Sequence, residues 1–279
     1  MKSQYYDDSV ALTDQEARIL AIANQKGGVG KTTTAVNLAT ALAACGKRVL
    51  IVDLDPQGNA TTGLGLIGRQ RGKGIYQVII EGAPLAEMVM ETLVRGMALV
   101  PSSVELVGAE VELVSGARRE YRLSDAVQGV VDEYDYILID CPPALGLLTL
   151  NALVAAHAVL VPLQTEFYAL EGLSHLLRTV ERVKRAFNPA LEIQGIVLTM
   201  VDRRNNLSEM VAKDVRAHLG NKVFETVIPR NVRVSEAPSH GKPVLLYDMR
   251  CAGAQAYIHL AGEMLRRERK TPMRPVLVS

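Results

Sequence analysis

A short apolar strand, a glycine-rich turn and a helix follow one another near the start of the chain, and they limit the fold more than any other feature. Residues 19–23 are all apolar, which is typical of a strand buried on both faces. The turn, residues 25–33, reads Gln-Lys-Gly-Gly-Val-Gly-Lys-Thr-Thr. An Ala- and Leu-rich helix is predicted from Thr32 to Ala44, and Gly46 is placed to end it. Such a unit belongs to a sheet of parallel strands.

Apolar runs alternate with helical patterns along the rest of the chain. Further strands are predicted at residues 48–53, 97–100, 136–140, 158–161, 193–200 and 222–227. Further helices are predicted at residues 106–119, 123–134, 147–156, 168–187 and 208–219. Because strands and helices alternate, we expect an α/β fold with a doubly wound, mostly parallel sheet and helices on both faces.

The length of 279 residues suits one large α/β domain, which we place at residues 18–265. Residues 1–17 are expected to form a flexible extension, in which Thr13 and Glu16 have the spacing of a capping box. Residues 266–279 are expected to form a basic tail.

Composition excludes several classes of protein. Hydrophobic residues make up 48% of the chain, which favours a sizeable core over disorder. No apolar run reaches the roughly 18 residues of a membrane span. The polar, acidic start from Met1 to Arg18 is unlike a secretion signal. Cys45, Cys141 and Cys251 lack metal-ligand spacing, so we expect free thiols and a cytoplasmic protein.

The glycine-rich turn has the chemistry of a phosphate site. Backbone N–H groups of such a turn, together with the N-terminus of the following helix, surround an anion. Lys31 is placed to reach the β- and γ-phosphates, and the Thr32 hydroxyl is placed to bind Mg²⁺. The motif therefore predicts a P-loop that binds ATP with Mg²⁺. The predicted nucleotide-binding residues of this loop are Lys26, Gly27, Gly28, Val29, Gly30, Lys31, Thr32 and Thr33.

Two predicted strands end in aspartates, as a Mg-ATP site requires. Asp140 follows an apolar strand and is interpreted as the Walker B residue, which acts through Mg²⁺-bound water. Asp55 is interpreted as the residue that positions or activates the attacking water, and Asp53 as its neighbour on the strand end. Thr32, Asp55 and Asp140 are the predicted metal site, and Asp55 and Asp140 are predicted to be catalytic with Lys31.

The loop departs from the general pattern G-x-x-x-x-G-K-[ST]. Gln25 occupies the first glycine position, and a second lysine, Lys26, opens the loop. The form K-G-G-x-G-K-T resembles the deviant Walker A motif of the ParA/MinD/iron-protein group of ATPases. The strings NQKGGVGKTTTAVNLA, GKRVLIVDLDPQGNATTGLG, YDYILIDCPPALGLLTLNAL, VPLQTEFYALEGL and VIPRNVRVSEAPSHGKPVLLYD resemble the ParA/Soj chromosome-partitioning ATPases over residues 18–265.

This resemblance implies an ATP-dependent sandwich homodimer that binds DNA without sequence specificity and associates with the nucleoid. It implies that a ParB-type centromere-binding protein stimulates hydrolysis. The early lysine of the family, here Lys26, would reach the nucleotide of the other subunit and take part in catalysis. The segment matching residues 228–231 would hold the adenine, which adds Pro229 and Asn231 to the nucleotide site.

Basic residues late in the chain are the candidates for DNA contact. The net charge is only +1, so DNA binding would need a local basic face. From the residues alone, a solvated charged face is the favoured interpretation, since acidic residues lie between the basic ones. Arg204 and Arg233 match positions at which the family carries DNA-contacting arginines, and Lys242 is added to them. The full set is Arg203, Arg204, Lys213, Arg216, Lys222, Arg230, Arg233 and Lys242.

Three alternatives remain open at this point. A MinD-like ATPase needs a C-terminal amphipathic helix that lies on lipid, and residues 257–267 are only weakly amphipathic, so no stable membrane association is expected. An iron–sulfur reductase subunit needs two suitably placed cysteines, and Cys141 directly follows the Walker B aspartate. The third alternative is a nucleotide-gated scaffold that positions another cargo and barely hydrolyses ATP.

Overall fold

The computed structural model describes residues 16–66, 73–202 and 204–270, and a mostly parallel sheet forms its centre. Within this part of the chain the sheet has seven strands, in the order β3-β4-β2-β5-β1-β6-β7. They are β1 (Arg18–Ile22), β2 (Val49–Asp53), β3 (Met90–Glu91), β4 (Met97–Val100), β5 (Tyr136–Asp140), β6 (Ala158–Gln164) and β7 (Glu192–Thr199). Only the pairing of β3 with β4 is antiparallel among these strands. The predicted doubly wound sheet is confirmed.

Helices cover both faces of the sheet. They are α1 (Lys31–Ala44), α2 (Asn59–Gly63), α3 (Leu106–Leu113), α4 (Arg122–Val127), α5 (Leu147–Ala155), α6 (Ala169–Ala186), α7 (Asn206–Leu219), α8 (Val232–Glu236), α9 (Val244–Tyr247) and α10 (Ala252–Lys270). Successive strand residues point to opposite faces of the sheet. On one face, Ile19 and Ala21 belong to an apolar layer that packs against α3 to α6. The other layer takes Leu20 and Ile22 and packs on α1 and α10.

One predicted strand, at residues 222–227, is wrong. A single bridge joins Val223 to Ile196, and no strand forms there within the described residues. The backbone N–H groups of Glu225 and Thr226 donate instead to the carboxylate of Glu263 on α10, at 2.8 and 2.9 Å. A side chain distant in sequence therefore takes the hydrogen bonds that a neighbouring strand would have supplied.

Two predicted helices, at residues 106–119 and 123–134, are shorter than expected. The first ends at Leu113 and the second at Val127. Gly116 and Gly129 follow these ends within two or three residues, and glycine is unfavourable in a helix interior.

Some expectations fall on residues outside the described part. Thr13 of the predicted capping box, Arg203 and residues 271–279 of the expected tail are among them. Helix α10 continues past residue 265 to Lys270.

The strand order places three carboxyl ends side by side. Asp140, the last residue of β5, pairs with Ile22 of β1 and with Asp53 of β2. The turn that leaves β1 therefore lies next to the loops that leave β2 and β5. Ligands of open α/β sheets bind at this edge.

Gly195 tests the packing that replaces the missing strand. A β-carbon at Gly195 would lie 2.5 Å from Cε2 of Phe224 and 2.9 Å from the carbonyl oxygen of Lys222. We therefore expect Gly195→Ala to lower the free energy of unfolding by about 1–3 kcal/mol, measured by urea denaturation. The control is Gly172→Ala in α6, where a β-carbon meets no atom within 4 Å and the helix gains up to about 1 kcal/mol. Equal stability of Gly195→Ala and the wild type would contradict this account.

Candidate nucleotide site

The glycine-rich turn leaves β1 and ends at the first residue of α1, as predicted. Gly28 and Gly30 have φ angles of 74° and 88°, which side-chain-bearing residues rarely adopt. A β-carbon at Gly27 or Gly28 would meet no atom within 4 Å, so the loop has open space above it. The geometry leaves backbone N–H groups and a helix N-terminus facing that space, which suits an anion.

Lys31 is the buried cation of the site. Its side chain folds back over the loop, and its Nζ donates to the carbonyl oxygen of Lys26 at 3.1 Å. Burial lowers the pKa of Lys31, while the nearby Asp140 and Asp55 carboxylates oppose that shift. A buried ammonium group with a backbone oxygen as its hydrogen-bond partner is suited to a ligand of high negative charge.

Asp140 is the most deeply buried charged group among the predicted site residues. It is 0% exposed, and within the described residues neither carboxylate oxygen has a hydrogen-bond partner at bonding geometry, although the Thr32 hydroxyl is close enough to oppose the rise of its pKa. Burial, and then the charge of Asp53, raise the pKa of Asp140 well above its usual range. Buried carboxylates normally have donors or a bound cation, so these two oxygens fit a ligand such as Mg²⁺ or its water shell.

Asp53 and Asp55 have different surroundings although only one residue separates them. Asp53 accepts hydrogen bonds from the N–H and the hydroxyl of Thr61, at 2.8 and 2.6 Å, and burial raises its pKa to about 6. Asp55 lies in the following turn, where its carboxylate accepts the N–H of Gln57 at 3.0 Å. Asp53 is thus tied to α2, whereas Asp55 belongs to the turn between β2 and α2.

Lys26 extends away from Lys31 to the outside of the loop. Its Nζ pairs with the carboxylate of Glu166, and both side chains are partly exposed. Phe167 and Tyr168 follow Glu166, are 71% and 66% exposed, and pack edge to face with their ring centroids 5.0 Å apart. These two rings pack on each other at the surface. Lys26 therefore lies in an exposed region that also presents two aromatic rings.

The predicted adenine segment lies beyond the end of β7. Pro229 pairs with Val201 and, with Arg230, lines a groove of about 1020 Å³. The side-chain oxygen of Asn231 accepts the N–H groups of Arg233 and Val234 at the start of α8. Pro229 thus faces open space, whereas Asn231 uses its oxygen as a helix cap.

The three predicted DNA-binding residues are exposed. Arg204 lines the same groove as Arg230 and pairs with Asp202. Arg233 pairs with Glu236 and Asp248, and Lys242 is exposed in the turn before α9. Exposed ion pairs of this kind contribute little free energy, so the arginines are free to exchange their partners for phosphates.

Several polar residues that the sequence interpretation missed hold the loops in place. The amide of Asn24 donates to the carbonyl oxygen of Pro162 at 2.7 Å, and its oxygen accepts the N–H of Lys26. The Thr199 hydroxyl donates to the carbonyl oxygen of Val29, and the Ser102 hydroxyl to that of Asp55, at 2.8 and 2.7 Å. All three of these residues, Asn24, Ser102 and Thr199, lie at the carboxyl ends of strands, and that position could have identified them from the sequence as residues near the site.

The structure also gives the state of the cysteines and tests for metal clusters and membrane-spanning helices. Cys45, Cys141 and Cys251 are free thiols. Within the described ranges no three His, Cys, Asp or Glu side chains are grouped to hold a metal ion by themselves. No helix in that same part of the chain combines the length and the apolarity that crossing a bilayer requires.

Comparison with protein families and curated proteins gives a consistent result. Residues 17–193 match the model of a family described as an AAA domain. The chromosome partitioning protein ParA of Caulobacter vibrioides is 62% identical over 254 residues, which cover 90% of this chain and 95% of that protein. The sporulation initiation inhibitor protein Soj of Bacillus subtilis is 53% identical over 247 residues, 88% of this chain and 98% of that protein.

Solved structures share the fold. The crystal structure of cobyrinic acid a,c-diamide synthase from Mycobacterium smegmatis with bound ADP and magnesium has a TM-score of 0.80 and 37% identity, and the match covers 94% of this chain and all of that one. The cell division ATPase MinD of Pyrococcus furiosus has a TM-score of 0.75 and 26% identity, with 90% and 99% covered. The loop geometry, the strand order and the identity over nearly the whole length agree: this chain belongs to the ParA/Soj family of P-loop chromosome-partitioning proteins.

Proposed function

We propose that this chain is a Mg²⁺-dependent ATPase that partitions DNA in the cytoplasm. In this proposal the ATP-bound protein is a homodimer that binds nucleoid DNA without sequence specificity, and a ParB-type centromere-binding protein stimulates hydrolysis, which releases the DNA. The observation that carries the proposal is the buried carboxylate of Asp140, unpartnered within the described residues and beside Lys31 at the glycine-rich loop. The Caulobacter vibrioides and Bacillus subtilis relatives supply the biological context.

The residues of the site divide the work of nucleotide binding. The loop amides of residues 27–33 and the ammonium of Lys31 bind the phosphates, and Pro229 and Asn231 lie on the adenine side. The Thr32 hydroxyl and the Asp140 carboxylate would hold Mg²⁺, which would neutralise phosphate charge. Asp55 would orient the attacking water with the carboxylate oxygen that does not accept the Gln57 N–H.

The exposed side of the loop supports a dimer. Lys26 extends outward, so its ammonium group can reach a nucleotide held by a second copy once it leaves Glu166. Phe167 and Tyr168 give the same region apolar area, and aromatic residues are enriched in interfaces. A positive charge placed on the partner's phosphates would stabilise the charge that develops in phosphoryl transfer.

The packing of α10 favours this function over membrane-based positioning. Its apolar residues Tyr257, Leu260 and Met264 are buried in the layer that also contains α1. A helix that lies on lipid must offer its apolar face to the bilayer, and the described part of α10 uses that face inside the protein.

Asp55→Ala tests the switch. Without the carboxylate that orients water, ATP turnover should fall about 100-fold while the phosphate contacts of Lys31 remain. The variant should then elute as a dimer with Mg-ATP in size-exclusion chromatography and retain DNA. Lys31→Ala is the matched control, because it removes the phosphate contact and should stay monomeric. A monomeric Asp55→Ala protein with bound ATP would show the switch to be wrong.

Gly27→Val separates nucleotide binding from dimer formation. Gly27 is exposed, has no positive φ angle, and its β-carbon would meet nothing within 4 Å in its own chain. The variant should therefore bind ATP with an affinity near that of the wild type but remain monomeric in analytical ultracentrifugation. Gly129→Val, at an exposed position between α4 and the start of β5 where a β-carbon would meet only the carbonyl oxygen of Ala126 at 3.6 Å, should dimerise normally. Dimer formation by Gly27→Val would refute the proposed face-to-face contact at this loop.

Arg204→Glu and Arg233→Glu test the DNA surface. Each reverses an exposed charge, so DNA affinity at low salt should fall at least tenfold in an electrophoretic shift assay while ATP-dependent dimerisation persists. Lys242→Glu should have a smaller effect in the same direction. Arg185→Glu is the control, because α6 ends at the opposite edge of the sheet, where β7 begins. Unchanged DNA retention by both arginine variants would refute these assignments.

A further inference from the structure

Four valines form an exposed apolar stripe along α3 and the turns that flank it. Val104, Val107, Val111 and Val114 are 77%, 65%, 77% and 59% exposed. Their spacing of three, four and three residues places them on one side of the helix. The opposite side is the buried one, and it consists of Leu106, Ala109 and Leu113. We call the four exposed valines the valine face.

The valine face has no structural role within the described chain. Valine is a weak helix former, since its branched β-carbon restricts the side chain, and an exposed valine gains no packing in return. Single exposed apolar residues are ordinary, but contiguous ones mark surfaces that another molecule covers. The valine face is contiguous along three turns of chain, so we treat it as an interaction surface.

Carboxylates border the valine face on one side. The hydroxyl of Tyr76 donates to the carboxylate of Glu112 at 3.0 Å, and the charges of Glu81 and Glu105 also act on Tyr76. Neither Glu81 nor Glu112 forms an ion pair with a lysine or arginine within the described residues. Glu81 and Glu112 therefore favour positive charge in a partner on this side, whereas Arg119, which donates to the carbonyl oxygen of Val114, lies at the C-terminal end of the face and pairs with Glu120.

The valine face is next to both loops that carry the catalytic carboxylates. Ser102, just before α3, donates from its hydroxyl to the carbonyl oxygen of Asp55 at 2.7 Å. On α3 itself, the carboxylate of Glu110 packs against Gly146, in the loop that follows Asp140, so closely that a β-carbon at Gly146 would overlap it. A molecule that shifts α3 therefore displaces the surroundings of Asp55 and Asp140.

We propose that the valine face is the docking site for a short apolar and basic segment of the protein that stimulates hydrolysis. This inference rests on the proposed function and adds to it the place at which the partner binds. Docking covers the valines, pairs Lys or Arg side chains of the partner with Glu81 and Glu112, and acts on the Asp55 and Asp140 loops through Ser102 and Glu110.

The test compares Val107→Glu/Val111→Glu with Leu93→Glu. Leu93 is 70% exposed in the connection between β3 and β4 and serves as the matched control. ATP turnover is measured with DNA, with and without the purified ParB-type protein of the same organism. In the valine variant, unstimulated turnover, ATP-dependent dimerisation and DNA binding should stay within about twofold of the wild type. Stimulation by the partner should fall at least about tenfold, as expected for loss of a central anchor. Leu93→Glu should be stimulated like the wild type.

Each failure has a different meaning. If the ParB-type protein does not stimulate the wild type, the proposed function is wrong and the docking proposal is wrong with it. If it stimulates the wild type and the valine variant equally, only the docking proposal is overturned. If the valine variant loses ATP-dependent dimerisation, the valine face is an interface between copies of this chain, which also overturns the proposal.

Two further measurements guard against a folding artefact. Glu112→Lys leaves the valines in place and should reduce stimulation several-fold by reversing one charge of the border; unchanged stimulation counts against the charge argument. The second replaces Val111 with photoreactive p-benzoylphenylalanine. Crosslinking to the ParB-type protein supports the proposal, whereas crosslinking to a second copy or within the same chain overturns it.

Discussion

The nucleotide site depends on one carboxylate that is buried at the carboxyl edge of the sheet. Asp140 ends β5, the strand between β1 and β2, and its two oxygens have no hydrogen bond within the described residues. Burying an ionised group without partners is costly, so a carboxylate there is maintained only if something else supplies compensating charge. In this chain Lys31 supplies part of it, and the open space above the glycine-rich loop leaves room for a cation and phosphates to supply the rest.

In the proposed function, the burial of Lys31 and Asp140 would let the nucleotide act as a switch. Burial disfavours the charged forms of both Lys31 and Asp140. Each group attracts the other, but the attraction does not remove the cost of burial. A ligand with both phosphates and a divalent cation satisfies both groups at once. Asp55 lies in a turn outside the sheet, where its hydrogen bonds come from Gln57 and Ser102, so the proposed switch would need only these bonds to rearrange when the charge at the site changes.

The sequence predicts the centre of this protein well and its margins less well. Buried parallel strands are continuous apolar runs, so β2, β4 and β5 could be recognised from the chain alone, together with the carboxylates that end β2 and β5. The segment at residues 222–227 is also predicted to be a strand, although polar residues interrupt its apolar ones. The N–H groups of Glu225 and Thr226 bond to Glu263, which no local pattern can reveal. The pairing of Lys26 with Glu166 is equally inaccessible, since 140 residues separate the two.

The position of β4 links the centre of the fold to its surface. β4 packs beside β2 and ends at Val100, so the next residues pass directly over the Asp55 turn before α3 begins. The hydrogen bond from Ser102 to Asp55 and the contact of Glu110 with Gly146 are the two links by which the proposed docking on α3 would reach the Asp55 and Asp140 loops. The exposed valines of α3 are close to those loops. In the docking proposal, a second protein that binds them would change the position of Asp55 without entering the nucleotide site.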